Sequence, residues 1–418
     1  MKLKFLSFSF RRGGAAKAAK RFSDLLSENF SKEMISVDEY SNKLARSFHF
    51  MKRLISFLFV FIYQKNLGVK CSANLFGFRP AINALVCKCG IVHLHWINND
   101  TLSIYDLKKI PRFSIVTLHD EWLYCGIEHC FDYSRLFISS PYSLETKISY
   151  KNFDSFLHYH VWSMKVRAFS NRSDLIVTCP SHWLAQRAKN SHVLKDCDVR
   201  VLYNPINVVI FSPLDAEILA QKRASLELGE RYLILFGAVG GAKNKLKGFL
   251  ELQDALNKLS EVGAVKNQIV LGLFGASKSG ISKLYGFPVY EFGYISNESE
   301  MATIYSTAHV TIVPSKIESF GQVAAESLSC GTPVIAFDTS GLKDVVVDGV
   351  TGLLAKPFSS DSLAEKIQQI ISMDSDNYLK LCKSARKHVI DNFSNEVISE
   401  QYKAILNEQI CRKQVDYK

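Results

Sequence analysis

Two glutamates flank a glycine-containing turn in the stretch ESFGQVAAE, residues 318–326. The pattern predicts a buried strand, then a helix that opens near residues 319–321. Free amides at a helix N-terminus bind anions, and Gly321 would let a ligand approach the backbone. Glu318 precedes the turn, and Glu326 lies about two helical turns beyond it. Carboxylates on either side of an anion-binding turn suit a diphosphate between two polyols, which is the layout of a nucleotide sugar.

Histidines stand at the ends of two predicted strands in the N-terminal half. One strand ends in His95 and Trp96, and another ends in His119 with Asp120 behind it. In open α/β sheets the ligand crevice lies at the carboxyl ends of the strands. These polar groups are therefore candidates for a second part of the site.

Strands and helices that must position these residues alternate in two series. The first has strands at residues 2–10, 91–96, 114–119 and 174–179, with a helix at 15–26 and helical stretches between the later strands. The second has strands at residues 232–237, 269–274, 310–314 and 334–337, with helices at 247–259, 361–371 and 377–410. Such alternation favours parallel sheets with helices on both faces. A chain of 418 residues is long enough for two domains of this class.

An ordered set of motifs over residues 310–354 resembles the signature of the retaining family-4 glycosyltransferases. In order, the motifs are VPS, ESFGQVAAE, CGTPV, SGL and DGVTGLL. Similar stretches elsewhere are LHWIN at 94–98, TLHDEW at 117–122, CPSHWL at 179–184 and YNPIN at 203–207. The resemblance implies an α/β GT-B fold, in which two Rossmann-like domains face each other across a cleft. It also implies sugar transfer from a nucleotide diphosphate sugar to a glycan acceptor with retention of configuration.

The same resemblance implies that the two domains bind different substrates. Residues 1–207 would form the acceptor-side domain and residues 208–390 the nucleotide-sugar-binding domain. A C-terminal helix at 391–418 would pack back on the N-terminal domain. The expected acceptor is a glycan linked to polyprenyl diphosphate, used in the synthesis of O-antigen, capsule or exopolysaccharide.

By resemblance, Glu318 approaches the donor sugar hydroxyls and Glu326 binds the ribose. The expected donor contacts beside them are Ser319 and the backbone amides of Phe320, Gly321, Gln322 and Val323.

Lys247 resembles the family lysine that neutralises the departing diphosphate. A preplaced ammonium would stabilise the growing charge by about 3 kcal/mol. Many relatives carry an arginine about six residues earlier, where this chain has Gly241. Lys243 or Lys245 would take its place, and the sequence leaves that choice open.

In the N-terminal domain, His119 resembles a family histidine that contacts the donor sugar near the reaction centre. Gly13 and Gly14 resemble the glycine-rich first turn. The acceptor-side candidates are Asp120, Glu121 and His129.

The net charge of +11 is concentrated in the N-terminal half. Residues 1–205 contain 29 basic and 16 acidic side chains, whereas the remainder contains 22 and 24. Residues 43–63 predict an amphipathic helix with a basic arc at Arg46, Lys52 and Arg53. Such a helix either docks on an anionic membrane or packs its apolar side on the sheet and shows its charges to water. We expect a cytoplasmic protein, peripheral at the inner face of the cell membrane, that binds no nucleic acid.

No cofactor and no metal site is expected. Cys125, His129 and Cys130 are spaced like metal ligands, but no second pair accompanies them. The ten cysteines are scattered, as in a chain with reduced thiols. Carboxylate pairs of the DxD type are absent near residues 310–354, so the reaction is expected to be metal-independent.

Two alternatives share the predicted fold. A nucleotide-sugar 2-epimerase would isomerise its substrate without an acceptor, but the ESFGQVAAE and HDEW stretches point away from it. A non-catalytic member would bind glycan or membrane, but Glu318 and Lys247 are both present.

Overall fold

The chain folds into two compact units in the computed structural model. The structure describes residues 2–26, 30–63, 70–86, 90–130, 153–237, 245–261, 267–275 and 283–416. Met1–Asn204 and Ser399–Lys418 form one unit, and Pro205–Ile398 form the other. The first division lies three residues before the predicted boundary at 207, and the C-terminal division lies after the predicted one at 390.

The first unit is built on a parallel sheet. Its strands are β1 (Lys2–Ser7), β2 (Ser31–Ser36), β3 (Ile91–His95), β4 (Ile115–Thr117), β5 (Ile176–Cys179) and β6 (Asp198–Val201), in the order β2-β1-β3-β4-β5-β6. Every residue of β3, β4 and β5 is buried. Strands covered on both faces read as continuous apolar runs, which is why the sequence located these three.

The helices of this unit are α1 (Gly14–Asp24), α2 (Lys43–Tyr63), α3 (Arg79–Leu85), α4 (Phe153–Phe169) and α5 (His182–Lys189). α5 begins where Ser181 accepts a hydrogen bond from the Leu184 amide. Among the helices that the structure describes, none has both the length and the apolar run needed to cross a bilayer.

The second unit contains a doubly wound sheet. Its strands are β7 (Tyr232–Gly237), β8 (Ile269–Phe274), β9 (Lys283–Leu284), β10 (Phe287–Gly293), β11 (Val310–Val313), β12 (Val334–Phe337) and β13 (Gly352–Ala355). Their order is β13-β12-β11-β7-β8-β10-β9, and only the β9–β10 pair is antiparallel among the described pairings. The connections change direction between β7 and β11, and ligands bind at such switch points.

The helices of the second unit are α6 (Ala216–Ser225), α7 (Phe249–Glu261), α8 (Glu298–Thr307), α9 (Gln322–Ser329), α10 (Leu342–Val345), α11 (Ser360–Ile371) and α12 (Ser375–Phe393). A 3-10 turn, Lys245–Lys247, precedes α7. The helix predicted from residue 247 therefore begins two residues later. Gly248, at φ +67°, separates the turn from the helix.

The last helix, α13 (Asn395–Asp416), continues from the second unit into the first. Its later part bonds to the first unit, where Tyr402 Oη lies 2.6 Å from His93 Nδ1 and Arg112 Nη1 lies 2.7 Å from Asp416. The residues before it stay with the second unit, since the Ile206 amide donates to the Phe393 carbonyl at 2.8 Å. The predicted segment 391–418 is therefore divided near residue 398.

Candidate active site

A turn and a loop pack together at the carboxyl ends of β7 and β11. The Lys316 amide donates to the Leu246 carbonyl at 2.9 Å, which joins the Lys245–Lys247 turn to the loop after β11. A Cβ at Gly248 would lie 1.8 Å from the Pro314 carbonyl oxygen. Only glycine permits this approach, so the packing requires the glycine that follows Lys247.

This packing brings together two residues that are 71 positions apart. Lys247 Nζ lies 2.5 Å from Glu318 Oε1. The two side chains are 29% and 19% exposed, so the pair borders solvent without being fully surrounded by it. A partly desolvated pair interacts more strongly than a surface pair, and a ligand can still reach both groups.

The backbone of Glu318 is held from both sides by the SGL turn. Its amide donates to Ser340 Oγ at 2.9 Å, and its carbonyl accepts from the Gly341 amide at 2.9 Å. A Cβ at Gly341 would lie 2.5 Å from the Ser319 carbonyl oxygen. The motif at residues 340–342 therefore positions the loop that carries Glu318.

The N-terminus of α9 lies directly after this loop. Gly321 adopts φ +103°, and a Cβ there would lie 2.8 Å from Leu342 Cδ2. In the described part of the chain no side chain caps α9, and its first turn carries no acidic residue. The first amides, including those of Gln322 and Val323, suit an anion at this end.

Glu326 is buried in α9, with 4% of its surface exposed. Gln322 Nε2 donates to its Oε1 at 3.2 Å, and Tyr305 Oη donates to its Oε2 at 3.4 Å. Phe320 is also buried and packs edge-on against Phe393 at 5.3 Å.

Other predicted donor contacts are more dispersed. Lys245 is exposed at the start of the turn, and Lys243 lies outside the described residues. Gly13 caps α1 at φ +94°, and a Cβ at Gly13 or Gly14 would meet nothing within 4 Å. The turn before α1 therefore has open space beside it.

In the first unit, Asp120 is the centre of a hydrogen-bonded cluster. Its Oδ2 accepts from Trp96 Nε1 at 2.7 Å and lies 2.6 Å from His129 Nδ1. The Trp122 amide donates to Oδ1 at 3.0 Å. Burial raises the pKa of Asp120, but His129 and the hydrogen bonds outweigh it and lower the pKa below its usual value. Asp120 is therefore a carboxylate that orients His129.

His119 is half-buried beside a second histidine. Its Nε2 lies 3.0 Å from Nδ1 of His95, which is fully buried. Burial lowers the pKa of His119 to about 4, and the nearby Asp120 only partly opposes this. The ring is therefore neutral at pH 7 and offers a hydrogen bond rather than a charge. His93 and His95 alternate along β3, and this alternation is the feature of the sequence that points to His95.

Glu121, predicted as an acceptor-side residue, is buried next to α5. Its side chain is 1% exposed, and its Oε1 lies 2.5 Å from Arg187 Nε. Tyr124 Oη donates to the same oxygen at 2.8 Å. The carboxylate therefore ties its loop to α5. Removing either partner of this buried pair would be costly.

Lys165 was not predicted from the sequence, and it hydrogen-bonds the backbone of the loop that carries Glu121. It is fully buried in α4, and its Nζ donates to the carbonyls of Trp122, Cys125 (3.1 Å) and Gly126 (2.6 Å). Burial lowers its pKa to about 7. A single lysine in an apolar helical stretch was the only signal in the sequence.

Within the described ranges, no group of three or more His, Cys, Asp or Glu side chains is arranged to hold a metal ion. Cys125 is buried, and His129 instead bonds Asp120 and, through Nε2 at 2.8 Å, Ser72.

Residues 221–388 match the protein family described as Glycosyl transferases group 1. The chain is 28% identical over 200 residues to D-inositol 3-phosphate glycosyltransferase of Nocardiopsis dassonvillei, a match that covers 45% of this chain and 46% of that protein. It is 27% identical over 257 residues to the capsular polysaccharide biosynthesis glycosyltransferase CapM of Staphylococcus aureus, which covers 60% and 66%. The chain thus spans about half the length of several curated relatives that it matches.

Solved structures resemble nearly the whole chain. HepE from Anabaena, in complex with UDP and glucose, superposes with a TM-score of 0.62 at 16% identity, covering 97% of this chain and 99% of that one. WaaG, a glycosyltransferase involved in lipopolysaccharide biosynthesis, gives 0.60 at 15% identity, with the same coverage. The predicted architecture of two Rossmann-like domains is confirmed.

Proposed function

We propose that this protein is a retaining glycosyltransferase. Residues 221–388 match the Glycosyl transferases group 1 family, and the chain has a GT-B fold. Its donor is a nucleotide diphosphate sugar, and its acceptor is a glycan. The resemblance to family 4 that residues 310–354 predict agrees with this family match.

The pairing of Lys247 with Glu318 beside the N-terminus of α9 carries the proposal. The 2.5 Å contact lies at the carboxyl ends of the strands where the sheet order reverses. Lys247 and the first amides of α9 supply positive potential for a diphosphate. The Glu318 carboxylate accepts hydrogen bonds from the hydroxyls of the donor sugar, while Glu326 binds the ribose of the nucleotide.

In the proposed reaction the bond from the sugar anomeric carbon to the diphosphate oxygen breaks, and a bond to an acceptor hydroxyl oxygen forms. The electron pair of the broken bond stays on the diphosphate, where Lys247 stabilises it. The acceptor proton leaves with the departing phosphate. Within the first unit, neutral His119 can offer a hydrogen bond to a sugar hydroxyl, and Asp120 with His129 can bind an acceptor hydroxyl.

The ligands and activities of similar proteins support the proposed classes of donor and acceptor. HepE structures contain UDP, glucose or UDP-glucose, which supports a nucleotide-sugar donor. CapM acts in capsular polysaccharide biosynthesis and WaaG in lipopolysaccharide biosynthesis, which supports an acceptor from cell-surface glycan synthesis. We propose that this acceptor is linked to polyprenyl diphosphate and that the protein is cytoplasmic, at the inner face of the membrane.

A panel of UDP-, GDP- and ADP-sugars tests the donor assignment by thermal unfolding. The matching nucleotide sugar should raise Tm, since a ligand at about 100 times its Kd stabilises the folded state by about 2.7 kcal/mol. Lys247→Ala should show a smaller shift, whereas Lys258→Ala, in an exposed pair with Asp361, should match the parent. No shift with any member, or equal shifts in both variants, would contradict the proposed site.

Metal removal should leave transfer intact. Lys247 and the α9 amides supply the charge that a divalent ion supplies in DxD-type sites, so activity with EDTA should equal activity without it. Release of nucleoside diphosphate measures this. A loss of activity that Mn²⁺ or Mg²⁺ restores would show that the diphosphate charge is balanced by a metal instead.

A further inference from the structure

Helix α2 exposes an unusual number of large apolar side chains. Ten of them are between 39% and 82% exposed: Leu44, Phe48, Phe50, Met51, Leu54, Ile55, Phe57, Leu58, Phe61 and Ile62. At 100° per residue they occupy about half of the helix circumference. Surface helices of water-soluble proteins turn such a face toward the core.

The side of α2 that contacts the protein carries polar residues together with the half-buried Phe59 and Val60. Ser56 is buried and donates to Asp100 Oδ1 at 2.9 Å. His49 is also buried, and its ring lies 4.9 Å from that of Phe78. The Arg53 guanidinium lies over the Phe8 ring at 4.6 Å. The alternative in which the apolar side packs on the sheet is therefore wrong, and Arg53 belongs to the attachment rather than to a solvent-facing basic arc.

We infer that the apolar face of α2 inserts into the interface of an anionic membrane. This inference rests on the proposed function and adds the surface and the lipid chemistry to it. α2 contains no acidic residue. Lys43 and Arg46 are exposed and Lys52 is half-exposed, so cations border the apolar face and match anionic headgroups.

The attachment of α2 determines how it meets the bilayer. Contacts at residues 49, 53 and 56 tether its middle to the first unit, so the helix lies in the membrane plane while its apolar half-circumference faces lipid. Four of the exposed side chains on this face are phenylalanines, and Phe is common on the lipid-facing side of interfacial helices.

A pocket at the edge of the apolar face of α2 also borders residues next to the acceptor-side cluster. Its volume is about 210 Å³, and its walls include Phe50, Leu54 and Phe57 on one side and Ser72 and Asp100 on the other. Ser72 in turn bonds His129. A membrane at α2 would therefore lie next to the groups that orient the acceptor.

Co-sedimentation of the full chain with vesicles tests the inference. The protein should pellet with vesicles that contain phosphatidylglycerol, and less with phosphatidylcholine alone. Met51→Ser, Ile55→Ser and Leu58→Ser together should lower the partition coefficient by about tenfold or more, because the lost area is apolar and lipid-facing. These side chains are exposed, and an unchanged Tm will verify that the variant folds.

A matched triple variant, Val86→Ser, Ile218→Ser and Leu379→Ser, removes equally exposed apolar groups outside α2 and should bind vesicles like the parent. Equal binding by both triple variants would overturn the inference. A second result would also overturn it: the parent is a dimer without lipid and does not bind vesicles, and the α2 variant is a monomer. A second copy of the chain would then cover the apolar face. A parent that shows the donor-induced Tm shift but no vesicle binding would retain the proposed function and lose only this inference.

Discussion

Lys247→Ala is expected to lower kcat by about a hundredfold to a thousandfold, the loss found when one charge-stabilising donor is removed from a transition state. Lys247 contacts Glu318 in the structure. In the proposed reaction its ammonium stabilises the growing charge of the leaving diphosphate. Turnover is measured as release of nucleoside diphosphate from the donor that the thermal panel identifies.

Lys258→Ala is the matched control, because its lysine pairs with Asp361 at an exposed position of the same unit. It should retain parental kcat, since exposed pairs contribute only about 0.2–1 kcal/mol to stability. If Lys247→Ala folds normally and turns over at the parental rate, the leaving-group assignment fails.

Glu318→Ala is expected to lower kcat/KM by about a hundredfold, because the sugar hydroxyls lose a charged acceptor and Lys247 loses its partner. Glu318→Gln should fall between this variant and the parent, since the amide keeps one acceptor oxygen of similar shape. The loop itself should stay in place, because Ser340 and Gly341 hold only the backbone of Glu318.

Asp361→Ala is the carboxylate control and should leave kcat/KM unchanged. The double variant Lys247→Ala and Glu318→Ala should lose less than the product of the two single losses, because both groups serve one site. Strictly multiplicative losses would indicate that the two side chains act independently and would contradict their assignment to a common donor site.

Local patterns in the sequence predicted most of the architecture. Continuous apolar runs located β3, β5, β7 and β12, because strands buried on both faces carry that signature irrespective of their neighbours. The motifs at residues 310–354 likewise predicted the strand, turn and helix that end in α9. Five of the described strands, β2, β6, β9, β10 and β13, were not predicted. β9 is only two residues long, and β2 and β10 lie toward the sheet edges with mixed exposure, so they lack a continuous apolar run.

Which side of an element faces the protein was decided only by the tertiary structure. The amphipathic pattern of α2 is the same whether its apolar side is covered or exposed, and the contacts of His49 and Ser56 with Phe78 and Asp100 settle the orientation. Likewise, the local sequence around Glu121 does not show that its carboxylate pairs with Arg187, which is 66 residues away.

The sequence by itself determined the fold class, the helix N-terminus at α9 and the residue types of the proposed donor site. The tertiary structure alone decided that Lys247 meets Glu318, that Glu326 is buried and that α2 shows its apolar face. The physical reason is how far apart along the chain the residues lie that decide each feature. Strand periodicity, helix caps and glycine turns depend on neighbours within a few positions, whereas burial and pairing depend on distant segments that the folded chain brings together.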